Sequence, residues 1–215
     1  MVSRSLIVPI ILAAGDSKRM GYPKALLPLA NDTFLTHILR TLQSAGLAKP
    51  VILLGRAAAM IQPQIADWPA HVVVNPDPDR GQLSSIQLGL SNLDSKSAAA
   101  LIWPVDLPGV SEDLIRRLVE LFVSLEPEIA LPTCGDRRGH PAIFHRRLFP
   151  EIMDAPLERG PKEILLRHQA ATSTLPTEEL ACFQDIDTPE DYLILTGIKL
   201  DSVLANGNTS AIRKT

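Results

Sequence analysis

Between Ile10 and Lys24 the chain sets small residues, two glycines and three cations at short, fixed intervals. The apolar run Ile10-Ile11-Leu12 empties into Ala13-Ala14-Gly15, then come Lys18 and Arg19, then Gly21, then Lys24. Gly15 and Gly21 permit positive φ and let a backbone come close to a ligand. Successive N–H groups in such a loop form a concavity that holds an anion. Lys18, Arg19 and Lys24 add full positive charges, which Asp16 partly offsets. Many donors beside neutralising cations are what a triphosphate needs.

Further groups stand at other segment ends. Asp106 closes the apolar run Leu101-Ile102-Trp103-Pro104-Val105. At the carboxyl end of a parallel strand its side chain would enter the crevice where such sheets bind ligands. A single carboxylate with phosphate oxygens and water suits Mg²⁺, which is seldom held by protein ligands alone. The same residue also suits a cap on the turn Leu107-Pro108-Gly109. Gln184-Asp185-Ile186-Asp187-Thr188-Pro189-Glu190-Asp191 offers more carboxylates, and is equally a good helix start. Ser84 and Ser85, after Asn75 and Gly81, are able to contact a ligand or to begin a helix.

The opening loop fits neither common phosphate motif. Met20 and Tyr22 flank the second glycine, which breaks the Walker pattern, and Ser17 stands where a dinucleotide loop needs glycine. The loop and its continuation Lys24-Ala25-Leu26-Leu27-Pro28-Leu29 resemble the nucleotidyltransferase signature L-A-A-G-x-S-x-R-M-G-x-x-K of the MobA-like group. That group includes molybdenum cofactor cytidylyltransferases, and Ala13-Ala14-Gly15 is most similar to its cytidine-using members. Asp16, and Leu107 after Asp106, depart from the cytidylyltransferase pattern.

The resemblance covers roughly positions 5 to 195. It implies a three-layer, Rossmann-like nucleotidyltransferase fold in one domain over residues 1–199. It implies transfer of NMP from an NTP, with CTP favoured, to a phosphate-bearing acceptor such as the molybdopterin cofactor, with release of pyrophosphate. Arg19, Lys24 and Asp106 would be catalytic, and Leu12, Ala13, Ala14, Gly15 and Lys18 would bind the nucleotide. Asn75, Gly81, Ser84 and Ser85 would line base and ribose. Asp106 and Asp187 would hold Mg²⁺, with Asp185 the weaker candidate. In Gly139-His140-Pro141-Ala142, His140 would face the acceptor, or serve only the turn. Alternatives are a sugar phosphate or other phosphometabolite as acceptor, and a nucleotide-binding chaperone or regulator without turnover.

These groups need elements to position them. Leu6 to Ala13 reads as a strand buried on both faces. Asn31 or Asp32 caps a helix through Leu42, closed by Gly46. Strands are expected at Val51–Leu54, His71–Val74 and Ala98–Val105, with helices over 57–66 and 83–93 between them. Ser111 caps a further helix. Ile129–Leu131 and Ala142–Phe144 flank a hairpin-like connection. Helical pieces follow near Leu148–Met153 and Pro161–His168, and Thr188 caps a last helix with Pro189 at its first position. This βα alternation predicts an α/β fold, a mostly parallel sheet with helices on both faces. Residues 200–215 are polar without a period and read as a mobile tail.

Composition bounds the rest. A chain of 215 residues that is 46% hydrophobic suffices for one α/β core, and with 4% aromatics that core is aliphatic. A net charge of −3 argues against a general nucleic-acid binder. Two cysteines make no disulfide framework and suit the cytoplasm. Arg4 and the apolar run after it mimic a secretion signal, but Pro9 interrupts the run and cleavage would destroy the loop. No run is long enough to span a membrane. The chain is read as a cytoplasmic monomer.

Overall fold

The computed structural model describes residues 2–205. Its strands are β1 (Ile7–Ala13), β2 (Pro28–Leu29), β3 (Asp32–Thr33), β4 (Val51–Leu54), β5 (His71–Val74), β6 (Ala99–Pro104), β7 (Ile129–Cys134), β8 (Arg137–Arg138), β9 (Ala142–His145) and β10 (Thr172–Pro176). Its helices are α1 (Phe34–Ser44), α2 (Ala58–Ile61), α3 (Gln82–Ser91), α4 (Glu112–Leu125), α5 (Phe149–Asp154), α6 (Gly160–Arg167), α7 (Pro189–Thr196) and α8 (Leu200–Ala205).

The main sheet runs β10-β7-β9-β6-β1-β4-β5, with β8 attached to β7. β1 pairs in parallel with β4 and β6, and β4 with β5. β9 lies antiparallel between β6 and β7, and β10 pairs in parallel with β7 at the edge. The sheet is therefore mixed and mostly parallel, as expected.

Two-residue periodicity explains the layers. Ile7, Ile11 and Ala13 of β1 join a core with Leu54, Leu101 and Trp103, closed by α1 and α4 through Ile38, Leu42, Leu118 and Phe122. Ile10 and Leu12 point the other way and join Leu53 and Ile102 under Leu83, Ile86, Phe149 and Ile164 of α3, α5 and α6. Successive side chains of a strand face opposite sides, so an apolar strand with no polar face needs helices on both. α3 sits tightly because residue 89 is glycine: a Cβ there would come 2.8 Å from a methyl of Ile10.

Several local expectations change. Thr33 caps α1, in a capping box with Thr36. Asp32 is committed elsewhere, to a two-pronged hydrogen-bonded pair with Arg40 (2.8 and 2.9 Å). The expected helix over 57–66 is a single α-turn, α2, followed by a 3₁₀ turn at Gln62–Ile65. Pro63 falls in that turn's first positions, where its missing N–H costs nothing. β2, β3 and β10 were not anticipated. From Leu200 the chain has a short helix, α8, with Leu200 itself buried. The remaining tail, 206–215, lies outside the described residues.

Candidate active site

In the sheet order, β4 and β5 lie on one side of β1 and β6 on the other, so the order reverses at β1. Ligands of open α/β sheets bind outside the carboxyl ends of the strands at such a reversal. A cleft of about 510 Å³ opens there. Each neighbouring strand end supplies one wall: Leu12 to Arg19 from the last two residues of β1 onward, Ala57 after β4, Pro78, Asp79 and Gly81 after β5, and Val105 and Asp106 after β6. Gln82 and Ser85 of α3, Ile61 of α2, Pro104 of β6, Pro23 to Ala25 and Asp187 complete it.

The loop after β1 is shaped by its own residues. Gly21 takes φ +63°, as foreseen; Gly15 does not use a positive φ, and Ser17 does (φ 50°). A Cβ at Gly15 would meet nothing within 4 Å. The position thus serves the other expectation, an open backbone approach. Ser17 carbonyl oxygen accepts from the amides of Met20 (2.9 Å) and Gly21 (3.2 Å). Its hydroxyl oxygen accepts from the Lys24 amide at 3.1 Å, which sets where Lys24 leaves the loop.

At the cleft floor the ammonium of Lys24 lies between two carboxylates. Nζ donates to Asp106 Oδ2 at 3.1 Å and also to Asp187 Oδ1. Arg19 donates to the other oxygen of Asp187 at 2.9 Å. The hydrogen bond from Lys24 holds the Asp187 carboxyl below its usual pKa, against the effect of burial. Asp185 shifts the opposite way: burial raises it, and the like charges of Asp106 and Asp187 add to that. Backbone contacts fix this geometry over long sequence distances. The Ile186 amide donates to Asp106 O at 2.9 Å, and the Val105 amide to Leu12 O at 3.0 Å. Asp191 of α7 accepts from the Asp187 and Thr188 amides at 3.1 and 2.8 Å, with Thr188 as N-cap. Capping and site-building are thus joint tasks of one segment.

Other expected residues divide. Gly81 and Ser85 line the cleft; Asn75 and Ser84 are not among its lining residues. Asn75 is buried and donates to the hydroxyls of Ser84 (3.2 Å) and Ser85 (3.0 Å), so it braces the wall from behind. Ser84 donates to Gly81 O at 2.8 Å. His140 also stands off the lining. Its ring Nδ1 is buried with no hydrogen-bond partner, and burial lowers its pKa against the pull of Asp106. Arg137 is taken by Phe183, whose carbonyl it meets at 2.8 Å and whose ring it overlies. Asp79 and Arg56 escaped sequence reasoning. The signal available for Arg56 was its place just beyond a parallel strand's carboxyl end.

Chemically, the cleft offers an open glycine-bearing loop, a cation and a pair of convergent carboxylates. Among the described residues no three His, Cys, Asp or Glu side chains form a metal cage. Two carboxylates already sharing one cation nonetheless suit a divalent ion whose other ligands are phosphate and water.

Known proteins share this arrangement of chain. Residues 9–172 match the model of the MobA-like NTP transferase domain. The nicotine blue oxidoreductase of Paenarthrobacter nicotinovorans is 28% identical over 196 residues, covering 86% of this chain and 93% of that protein. A probable molybdenum cofactor guanylyltransferase of Bacillus mycoides is 28% identical over 193 residues, covering 86% and 92%. The crystal structure of Rv0371c of Mycobacterium tuberculosis in complex with manganese superposes with a TM-score of 0.74 at 28% identity, covering 89% of this chain and 98% of that one.

Proposed function

Since the chain belongs to the MobA-like NTP transferases and is a nucleotidyltransferase, we propose that it moves a nucleoside monophosphate, CMP by preference, from its triphosphate to a phosphate-bearing small molecule of the molybdopterin class. The observation that carries this reading is the Lys24 ammonium held between Asp106 and Asp187 at the floor of a cleft that the phosphate loop opens into. Asp106 and Asp187 would hold Mg²⁺ or Mn²⁺, which on binding supplies charge neutralisation at the phosphates. Asp187 is preferred to Asp185 because it lines the cleft.

The acceptor's phosphate oxygen attacks the α-phosphorus, the bond from that phosphorus to the β-phosphate bridge breaks, and pyrophosphate leaves in line. A phosphate monoester has its second pKa at about 6, so the attacking oxygen is already largely ionised at neutral pH. The site therefore needs no strong base; it must bring anions together and hold them. Lys24 and Arg19 neutralise the phosphates, while the backbone from Leu12 through Ala13, Ala14 and Gly15, with Lys18, cradles the leaving group. Gly81 and Ser85 face base and ribose. His140, which stands off the cleft lining, is assigned to the acceptor side.

Two free cysteines, and no helix among the described residues long and apolar enough to cross a membrane, fit a cytoplasmic site of action. The Ala13-Ala14-Gly15 form supports cytidine. The guanylyltransferase name of the Bacillus mycoides relative favours guanosine as the second reading. Melting the protein with each of the four triphosphates and Mg²⁺ tests this. A ligand bound only by the native form raises the melting temperature. A rise with CTP above the other three is expected, a rise with GTP alone moves the reading to guanosine, and no rise with any removes it.

A further inference from the structure

Asp16 puts an anion inside the loop that must receive a polyphosphate, and its neighbours Lys24 and Arg19 are turned toward Asp106 and Asp187. Lys18 lies 3.7 Å from Asp16 but is 82% exposed, a loosely held counter-charge. Balance arrives instead from another strand. β4 ends at Leu54, and a Cβ on the next residue, Gly55, would fall 2.2 Å from the carbonyl oxygen of Ala14. Only glycine lets β4 exit flush against the phosphate-loop backbone. The next residue, Arg56, is thereby placed beside Asp16. Its Nη1 donates to Asp16 Oδ2 and, at 3.2 Å, to Asp79 Oδ1, while Nη2 donates to Asp79 Oδ2. Asp16 and Asp79 both line the cleft, and Asp79 belongs to the 3₁₀ turn Pro78–Arg80 that leads into Gly81.

We propose that Arg56 is a positioning residue for the nucleotide: it cancels the charge of Asp16 and ties the segment before Gly81 to the phosphate loop. This rests on the nucleotide reading above. A fork of two N–H groups on Asp79 with a third contact to Asp16 fixes direction as well as charge, as guanidinium does and ammonium does not. The side chain is 53% exposed, so the contacts add little to folding stability. An ordinary surface ion pair and a binding clasp therefore differ in what their loss affects.

Calorimetric titration of CTP and of GTP, each with Mg²⁺, into the wild type, Arg56→Gln, Arg56→Gln with Asp16→Asn, and Arg56→Gln with Asp79→Asn separates the two. Arg56→Gln is expected to weaken the bound triphosphate about tenfold, since one uncancelled charge then faces it, with the melting temperature within about 2 °C of wild type. Adding Asp16→Asn is expected to recover most of the loss, because the repelling charge is gone; adding Asp79→Asn recovers little. Wild-type affinity in Arg56→Gln, or no recovery with Asp16→Asn, overturns the clasp while leaving the nucleotide reading in place. A wild type that binds neither triphosphate overturns both.

Discussion

Replacing Lys24 by Met keeps most of the side chain's bulk and removes the cation that Asp106 and Asp187 share. Lys24 is 11% exposed, Asp106 27% and Asp187 34%. At the 3.1 Å separation from Asp106, and with the dielectric of about 20 that suits near-surface pairs, the gross attraction is about 5 kcal/mol. Desolvation of the ammonium opposes it. Exposed pairs are worth at most about 1 kcal/mol, and removing one partner of a fully buried pair costs about 3–5. This half-buried arrangement falls between, at about 1–3 kcal/mol. For a chain of this size that lowers the melting temperature by about 2–10 °C. Loss of a charge aimed at the reacting phosphates lowers turnover by about 10²–10³. Two assays check the reasoning: melting with and without Mg²⁺, and pyrophosphate release under single-substrate saturation. The variant, with Asp106 stripped of its ammonium and Asp187 left with Arg19 alone, gains more from Mg²⁺ than the wild type does. Equal gains refute the idea that ammonium and metal compete for the same carboxylates. Unchanged turnover removes Lys24 from the chemistry, whatever happens to stability.

Gly55→Ala forces a methyl into the Ala14 carbonyl; overpacking of this kind costs about 1–3 kcal/mol, and triphosphate affinity is expected to fall with the melting temperature, both read in one thermal titration. Affinity unaltered by Gly55→Ala shows that the phosphate loop does not depend on the exit of β4. His168 sits between Glu128 (2.5 Å) and Glu151 (2.6 Å); burial opposes its charge, but the two glutamates outweigh burial and raise its pKa above 6.5. Its stabilisation is therefore complete below about pH 6.5 and is lost as pH rises through the folded-state value. Melting curves from pH 6 to 9 should decline in the wild type and decline less in His168→Gln; parallel curves refute this.

The site was readable where chemistry is local in sequence. Residues 12–24 carry their spacing on their face, and Asp106 and Asp187 each follow or precede a recognisable element. What escaped depends on partners far along the chain. Arg56 matters through Asp16 and Asp79, 40 and 23 positions away, and neither spacing forms a helix or strand period. Asn31, Asp32 and Thr33 are all able to cap a helix. The choice falls to Thr33 because Thr36 answers it and Arg40 claims Asp32. β10 is an edge strand whose residues Thr172, Ser173 and Thr174 are polar and at most half-buried, so hydrophobic alternation is absent. The antiparallel insertion of β9 is a pairing choice that its four residues do not encode alone.

The stitching of the segment around Asp187 to much earlier residues governs when the enzyme comes into being. Ile186 bonds to the exit of β6, and the Tyr192 hydroxyl reaches Pro28 O at 2.9 Å. During synthesis the nucleotide loop and Asp106 emerge long before their last companion. A nascent chain thus owns a cradle for anions with half of its acidic floor missing. If Asp187 holds the metal as proposed, competence arrives only when the closing helix docks.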